Sequence, residues 1–275
     1  MILRRESVPF TAARMTTLIN GRGFPPDVDG PDARSIVDRA MSRGSPMLLE
    51  DESKRLCALY GIGTPPFRVA VDADEAVESA RAVGYPVVMK VLSPQIVHKT
   101  DVGGVALDLE RDEDVRAAYD RVVRSVRNAR PDAEIAGVLV ERQLPASIEV
   151  IVGATVDGKF GPVLMFGMGG TLAELLRDVA FRLIPVGEDD ARAMVEEVRG
   201  SDVLMGLRGR PPLDIDALIG VLLSTSRIML ENPEISGVDL NPVIVYERGA
   251  VAVDAKIFLG PPRPTQGEGI RRPQP

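Results

Sequence analysis

GYPVVMKVLSPQIVHKTDVGG, residues 84–104, reads as a buried strand that runs out into a polar, flexible loop. Val87, Val88 and Met89 supply the apolar part, and a strand over 86–92 follows from them. Lys90 stands near its end, where a mobile ammonium can meet a phosphate, although a lysine there can equally snorkel to the surface. Beyond the strand, Gly103 and Gly104 let the backbone bend. His98 is the only histidine of the chain, so imidazole chemistry passes through it or comes from another polypeptide. An imidazole titrates near neutral pH and can take a phosphoryl group as a nucleophile. Lys99 can stabilise phosphate charge and Asp101 can orient the ring. A structural or exposed loop histidine fits the same residue types.

Outward from this stretch, helices are expected over 33–43 and 50–60, the second on the spacing of Leu56, Leu59 and Tyr60, with Gly61 as its stop. A strand over 67–71 precedes a helix over 73–83 that Asp72 can cap. A strand over 104–109, a helix over 112–128 and a strand over 135–141 continue the alternation. Three strands then follow in succession, 147–156, 160–166 and 181–186, before helices over 189–198 and 214–230 and a hairpin over 237–258. Strands segregated in this way favour an α+β fold over a doubly wound parallel sheet. The Gly- and Pro-rich ends, 1–30 and 261–275, read as a flexible extension and a flexible tail.

With 275 residues, 45% of them hydrophobic, the chain can bury a substantial core. A net charge of -7 and few aromatics argue against nucleic-acid binding, which leaves a basic footprint. Mean hydropathy is +0.05, and no run of about 18 apolar residues suggests a membrane span. The N-terminus lacks the apolar run of a signal peptide, so the cytoplasm is the expected compartment. One cysteine, Cys57, leaves no intrachain disulfide and reads as a buried thiol.

Three further segments carry chemistry. FGMGGTLAELLRD, 166–178, can offer the backbone N–H groups of Gly167, Gly169 and Gly170 to an anion, although an ordinary strand-to-helix turn has the same composition. In GVDLNPVIVYERGAVAVDAK, 237–256, strand alternation puts Asp239 and Asn241 on one face. A loop over 246–249 sets Asn241 opposite Asp254, two oxygen donors such as Mg²⁺ takes beside nucleotide phosphates, and a slip of one residue separates them. VLVERQL and SIEVIVG, 138–144 and 147–153, can build a nucleotide pocket. Glu141, Arg142, Gln143 and Leu144 would then form an adenine hinge, and Glu149 a ribose or metal-side contact; ordinary strand ends look the same.

Taken in order, LYGIGTPPF (59–67), the stretch 84–104, FGPVLMFGMGG (160–170) and DLNPVIVYERGAVAVDAK (239–256) resemble the β subunit, or fused β region, of ADP-forming acyl-CoA synthetases such as acetate–CoA ligase, relatives of succinyl-CoA synthetase. The resemblance spans about 33–259. It implies an ATP-grasp fold whose two lobes, 31–136 and 137–260, sandwich ATP or ADP. It also implies Lys90 on phosphate, Asn241 and Asp254 on Mg²⁺, and His98 in the phosphohistidine position, with the glycine loop and Arg177 placed as in the family. In that family an acyl phosphate, made from acyl-CoA and phosphate on an α region, phosphorylates a histidine there, and the β segment carries the group to ADP. The reverse direction makes acyl-CoA from ATP, a carboxylic acid and CoA. This chain shows neither a CoA-binding Rossmann domain nor a second histidine, so a separate CoA-binding α subunit and a hetero-oligomer are expected. A stand-alone ATP-grasp carboxylate ligase and a non-catalytic nucleotide-sensing module are the alternatives.

Overall fold

The structure, a computed structural model, describes residues 32–170, 178–206 and 211–263. The expected extension over 1–30, all but the start of the expected tail, and Arg177 lie outside the described residues.

Two short helices open the described chain. α1 (Ala33–Ser42) begins where the Asp32 carboxylate accepts from the Ser35 N–H at 2.7 Å, satisfying one of the free donors at a helix start. α2 follows at Glu50–Leu59. β1 (Phe67–Ala70), α3 (Ala73–Val83), β2 (Val87–Leu92), β3 (Val105–Leu109), α4 (Asp112–Ala129) and β4 (Gly137–Arg142) build the first sheet. Its order is β1-β4-β2-β3, with every pairing antiparallel. Val115, Ala118, Val122 and Val126 recur at helical spacing on α4 and pack with Ala76 and Ala80 of α3 over Val87, Met89 and Val140. Asp72 caps α3 through the Glu75 N–H at 2.8 Å.

The second sheet takes β5 (Ile148–Asp157), β6 (Gly161–Met168), β7 (Val179–Leu183), β8 (Ile235–Val245), β9 (Ala250–Ala252) and β10 (Ala255–Leu259). Its order is β10-β8-β5-β6-β7, with β9 paired to β8. Val150 and Val152 of β5, with Leu164 and Phe166 of β6, turn inward on alternate positions. They meet Leu218, Leu222 and Met229 of α6 (Ile215–Glu231) and Met194 of α5 (Glu188–Glu197).

These elements are those expected, with ends moved by one to three residues; the strand expected over 181–186 runs Val179–Leu183. The lobes divide differently from the expected 31–136 and 137–260. β4 closes the first sheet, between β1 and β2. α1 and α2 join the core of the second, where Ile36, Val37, Ala40, Leu56 and Cys57 are buried. The reason is the open edge at β10, along which the Leu48 N–H donates to the Ile257 carbonyl at 2.9 Å. The small lobe therefore runs from β1 to β4, and the chain on both sides of it builds the large one. α2 also buries an unexpected face. Leu59 is exposed, whereas Glu50, Ser53 and Lys54 are buried with Leu56 and Cys57. Burial pushes the Cys57 thiol up to about 12.

Candidate active site

β2 is buried along its whole length, so its one charged residue must find partners inside the protein. The Lys90 ammonium lies 2.7 Å from Glu50 Oε1 and 2.9 Å from Glu141 Oε1. It donates hydrogen bonds to Glu50 Oε1 and, at 3.1 Å, to the Val253 carbonyl. Lys54, with no exposed surface, bridges the same two carboxylates, 3.2 Å from Glu50 Oε1 and in direct contact with Glu141 Oε2. Two lysines and two glutamates thus alternate around a closed ring. Lys99 adds a third ammonium, 2.9 Å from Glu50 Oε2.

Burial alone would raise the Glu50 carboxyl, but the ammoniums of Lys90, Lys54 and Lys99 outweigh it and hold the group well below the usual 4.5. Burial likewise works to lower Lys90, and the carboxylates of Glu141 and Glu50 keep it raised above 10.5. Glu50 and Lys90 therefore stay ionised. Desolvating each ion costs several kcal/mol, so such a group persists only with this many partners.

The ring lies on the seam between the lobes, with Lys90 and Glu141 on the small sheet and Val253 beside β10. Leu240 pairs with Ala255 and Val243 with Ala252, and the Val253 N–H donates to the Pro242 carbonyl at 2.9 Å. That register sets Asn241 opposite Asp254, because Tyr246 and Gly249 close the four-residue loop through a 3.0 Å bond. Asp254 Oδ1 is buried without a hydrogen-bond partner and stands 3.7 Å from Lys90 Nζ. Burial first, then repulsion from Glu50, pushes the Asp254 carboxyl up. Lys256 flanks it at 3.9 Å and also meets Asp239 at 3.6 Å. Among the described residues no three His, Cys, Asp or Glu side chains cluster as a metal cage. An orphaned carboxylate oxygen facing an amide across a strand pair suits a hard cation that takes its remaining oxygens from phosphate and water.

His98 is exposed on the loop after β2, directly ahead of the 3₁₀ turn Thr100–Val102. Gly103 ends that turn at φ 65°, and the Gly104 N–H donates to the Lys99 carbonyl at 2.7 Å. A Cβ on Gly104 would stand 2.6 Å from Val91 Cγ1 and 2.9 Å from the Lys99 oxygen, so the loop closes this tightly only on glycine.

Of the expected adenine hinge, Glu141 has its side chain committed to ion pairs. Its carboxylate is spent on Lys54 and Lys90, and β4 pairs it on one side with Phe67 and on the other with Val88. Arg142 donates from its backbone to Pro66 O and from its guanidinium to Val83 O. Gln143 locks its amide onto Asp108, donating at 2.6 Å and accepting from the Asp108 N–H at 2.8 Å. Leu144 packs against Ile244, Tyr246 and Val251. Glu149 is exposed, and its carbonyl accepts from the Gly169 N–H at 2.7 Å. Gly169 is there for close approach, since a Cβ would fall 2.8 Å from the Glu149 backbone. A Cβ on Gly167 would stand 2.8 Å from Val179 Cγ1, and Gly170 sits at φ 85°.

Sequence reasoning missed Glu50 and Lys54. Charged residues default to the surface, and an i,i+4 Glu–Lys pair is ordinary on a solvated helix face. The available signal was that removing them from the core stripe leaves α2 too few apolar residues to bury.

The seam brings together a buried lysine, two buried glutamates and an orphaned aspartate, a polar centre of the kind that handles phosphates. Residues 39–259 match the family model described as an ATP-grasp domain, and the chain belongs to that family, with the β subunits of ADP-forming acetate–CoA ligases. It is 44% identical to the acetate–CoA ligase (ADP-forming) I subunit beta of Pyrococcus furiosus, over 82% of this chain and 97% of that one. The corresponding II subunit beta of the same organism is 41% identical, over 83% and 98%. Among solved structures, an acetyl-coenzyme A synthetase from Candidatus Korarchaeum cryptofilum, in complex with coenzyme A, Ca-AMPCP and HgCl⁺, is 44% identical. It matches at a TM-score of 0.80 over 83% of this chain and 100% of that one. Among the described residues no helix is long and apolar enough to cross a membrane.

Proposed function

We propose that this chain is the nucleotide-binding β subunit of an ADP-forming acyl-CoA synthetase, and that His98 relays the phosphoryl group between ATP and a separate CoA-binding α subunit. The observation that carries the reading is the meeting of Lys90 with the orphaned Asp254 carboxylate on the lobe seam, opposite Asn241. The Korarchaeum enzyme supports it, having been solved with coenzyme A and Mg-AMPPCP and with its phosphohistidine segment pointing towards the nucleotide site. A longer acetate–CoA ligase (ADP-forming) I of Archaeoglobus fulgidus is 41% identical over 85% of this chain but only 34% of its own length, which leaves room there for the α functions.

In this reading Lys90 gives up one carboxylate contact to a phosphate oxygen and holds the transferring group in place. Asn241 and Asp254 would hold Mg²⁺, which supplies charge neutralisation at the phosphates. An imidazole nitrogen of His98 attacks the γ-phosphorus, the P–N bond forms as the bond to the β,γ-bridging oxygen breaks, and ADP leaves with that electron pair. The phosphoryl group then passes to the α subunit, where a carboxylic acid takes it and the CoA thiol displaces phosphate. Gly167, Gly169 and Gly170 lie near the anion, Leu144 and its neighbours near the base, and Glu149 at the ribose or metal side. We place the protein in the cytoplasm as part of a hetero-oligomer.

The test is ADP formation from ATP by the chain mixed with a CoA-binding partner subunit. Turnover that needs the partner, CoA and a carboxylic acid together, and that is lost in His98→Ala, is the expected result. Acid-dependent turnover by the chain alone, unchanged in His98→Ala, would identify a stand-alone ligase. Nucleotide binding with no turnover under any combination would identify a sensing module.

A further inference from the structure

Glu50 is the one group in the site that touches both chemical parts of it. Its Oε1 accepts from the Lys90 ammonium at 2.7 Å, and its Oε2, which accepts no hydrogen bond, lies 2.9 Å from the Lys99 ammonium as an ion pair. Lys99 is the residue after His98, and its carbonyl also closes the loop by accepting from the Gly104 N–H at 2.7 Å. Lys99 is therefore held at both ends, its backbone by the loop and its side chain by α2. Glu50 is the first residue of α2, a helix whose Leu56 and Cys57 are fixed in the large-lobe core, so the carboxylate has a rigid mount. It is 4% exposed and cannot exchange its partners for water without opening the seam.

We propose that Glu50 is a positioning residue for phosphoryl transfer, a single carboxylate that fixes the phosphate-facing lysine and, through Lys99, the His98 loop. The proposal rests on the relay reading above and adds the residues that aim the relay. A loop that carries a histidine towards nucleotide must stop at a repeatable place, and small misplacements of a nucleophile cost large factors in rate. Lys99 supplies that stop, pinning the loop to the anion that also positions Lys90. Lys54 completes the device from behind. It bridges Glu50 and Glu141 away from solvent, so both carboxylates keep a cation when Lys90 turns to a phosphate. A lysine here serves as a tether, whereas one that merely neutralised phosphate would act mainly on nucleotide affinity.

The experiment follows the full chain with labelled ATP and Mg²⁺ in single turnover, reading the rate at which acid-labile, base-stable phosphate appears on His98, alongside ADP affinity by calorimetry. Lys99→Met should slow labelling about tenfold, a coupling of the size found within one ion-pair network, with ADP affinity changed less than about twofold. Lys99→Arg, which keeps the charge, should recover most of the rate. In a Glu50→Gln background, Lys99→Met should cost less than about a further twofold, because the tether is already cut. Labelling at the wild-type rate in Lys99→Met, or losses that multiply in the double variant, would overturn the proposal while leaving the relay intact. A wild-type chain that takes no label contradicts the relay, and this proposal with it. The Lys99 series decides the matter by itself if Glu50→Gln does not fold.

Discussion

Lys90 Nζ stands 3.7 Å from Asp254 Oδ1, a lysine of the small sheet facing a carboxylate of the large one. The distance is too long for a hydrogen bond, and Asp254 Oδ1 has no other partner. Its environment makes keeping the carboxylate ionised costly.

Replacing Asp254 by Asn should therefore separate function from stability. The raised carboxyl means that ionised Asp254 weakens the empty fold above its ordinary 3.8, so Asp254→Asn should melt no lower than wild type at neutral pH. Saturating Mg-ADP should raise the wild-type Tm by about 5–10 °C and the variant's far less, measured by scanning calorimetry.

Lys54 offers the sharpest stability prediction. Lys54→Met leaves Glu50 and Glu141 buried with one cation fewer and should cost about 3–5 kcal/mol in urea unfolding. Adding Glu141→Gln removes an uncompensated charge, and the double variant should regain more than half of that loss. A Lys54→Met protein as stable as wild type would contradict the ring of ion pairs.

The acid limb of the stability profile should report Glu50. Its folded carboxyl is depressed, so its contribution is present above the ordinary 4.5 and disappears as pH falls through the folded value. Lys90 is raised, so its contribution is complete below 10.5 and is lost only in stronger alkali. Between these limits the pair should be insensitive to pH. Below about pH 4.5 the Tm of wild type should fall more steeply than that of Glu50→Gln.

Gly169→Ala tests the glycine loop as packing. The added methyl would lie 2.8 Å from the Glu149 backbone, which cannot yield as a side-chain tip can, and should cost about 1–3 kcal/mol. Urea unfolding checks it.

Much of this was legible in the residues. The hairpin shows why: a loop of four residues leaves one register, and the register alone sets Asn241 opposite Asp254. α4 declares its buried face through Val115, Ala118, Val122 and Val126. What could not be read were choices made by tertiary contact. Nothing local tells α1 and α2 to pack on β10 rather than on the strand that follows them, and nothing local turns Glu50 and Lys54 inward. Glu141 looked like a strand end open to a base because its partners, Lys54 and Lys90, lie 87 and 51 positions away in sequence. The role proposed for His98 came only from the resemblance, since an exposed loop histidine has no local signature of phosphoryl transfer.

The most direct measurement is the site of phosphate on the chain after incubation with labelled ATP and Mg²⁺. Acid-labile, base-stable label that maps to His98 and vanishes in His98→Ala is the expected result, and equal labelling in His98→Ala would contradict the relay.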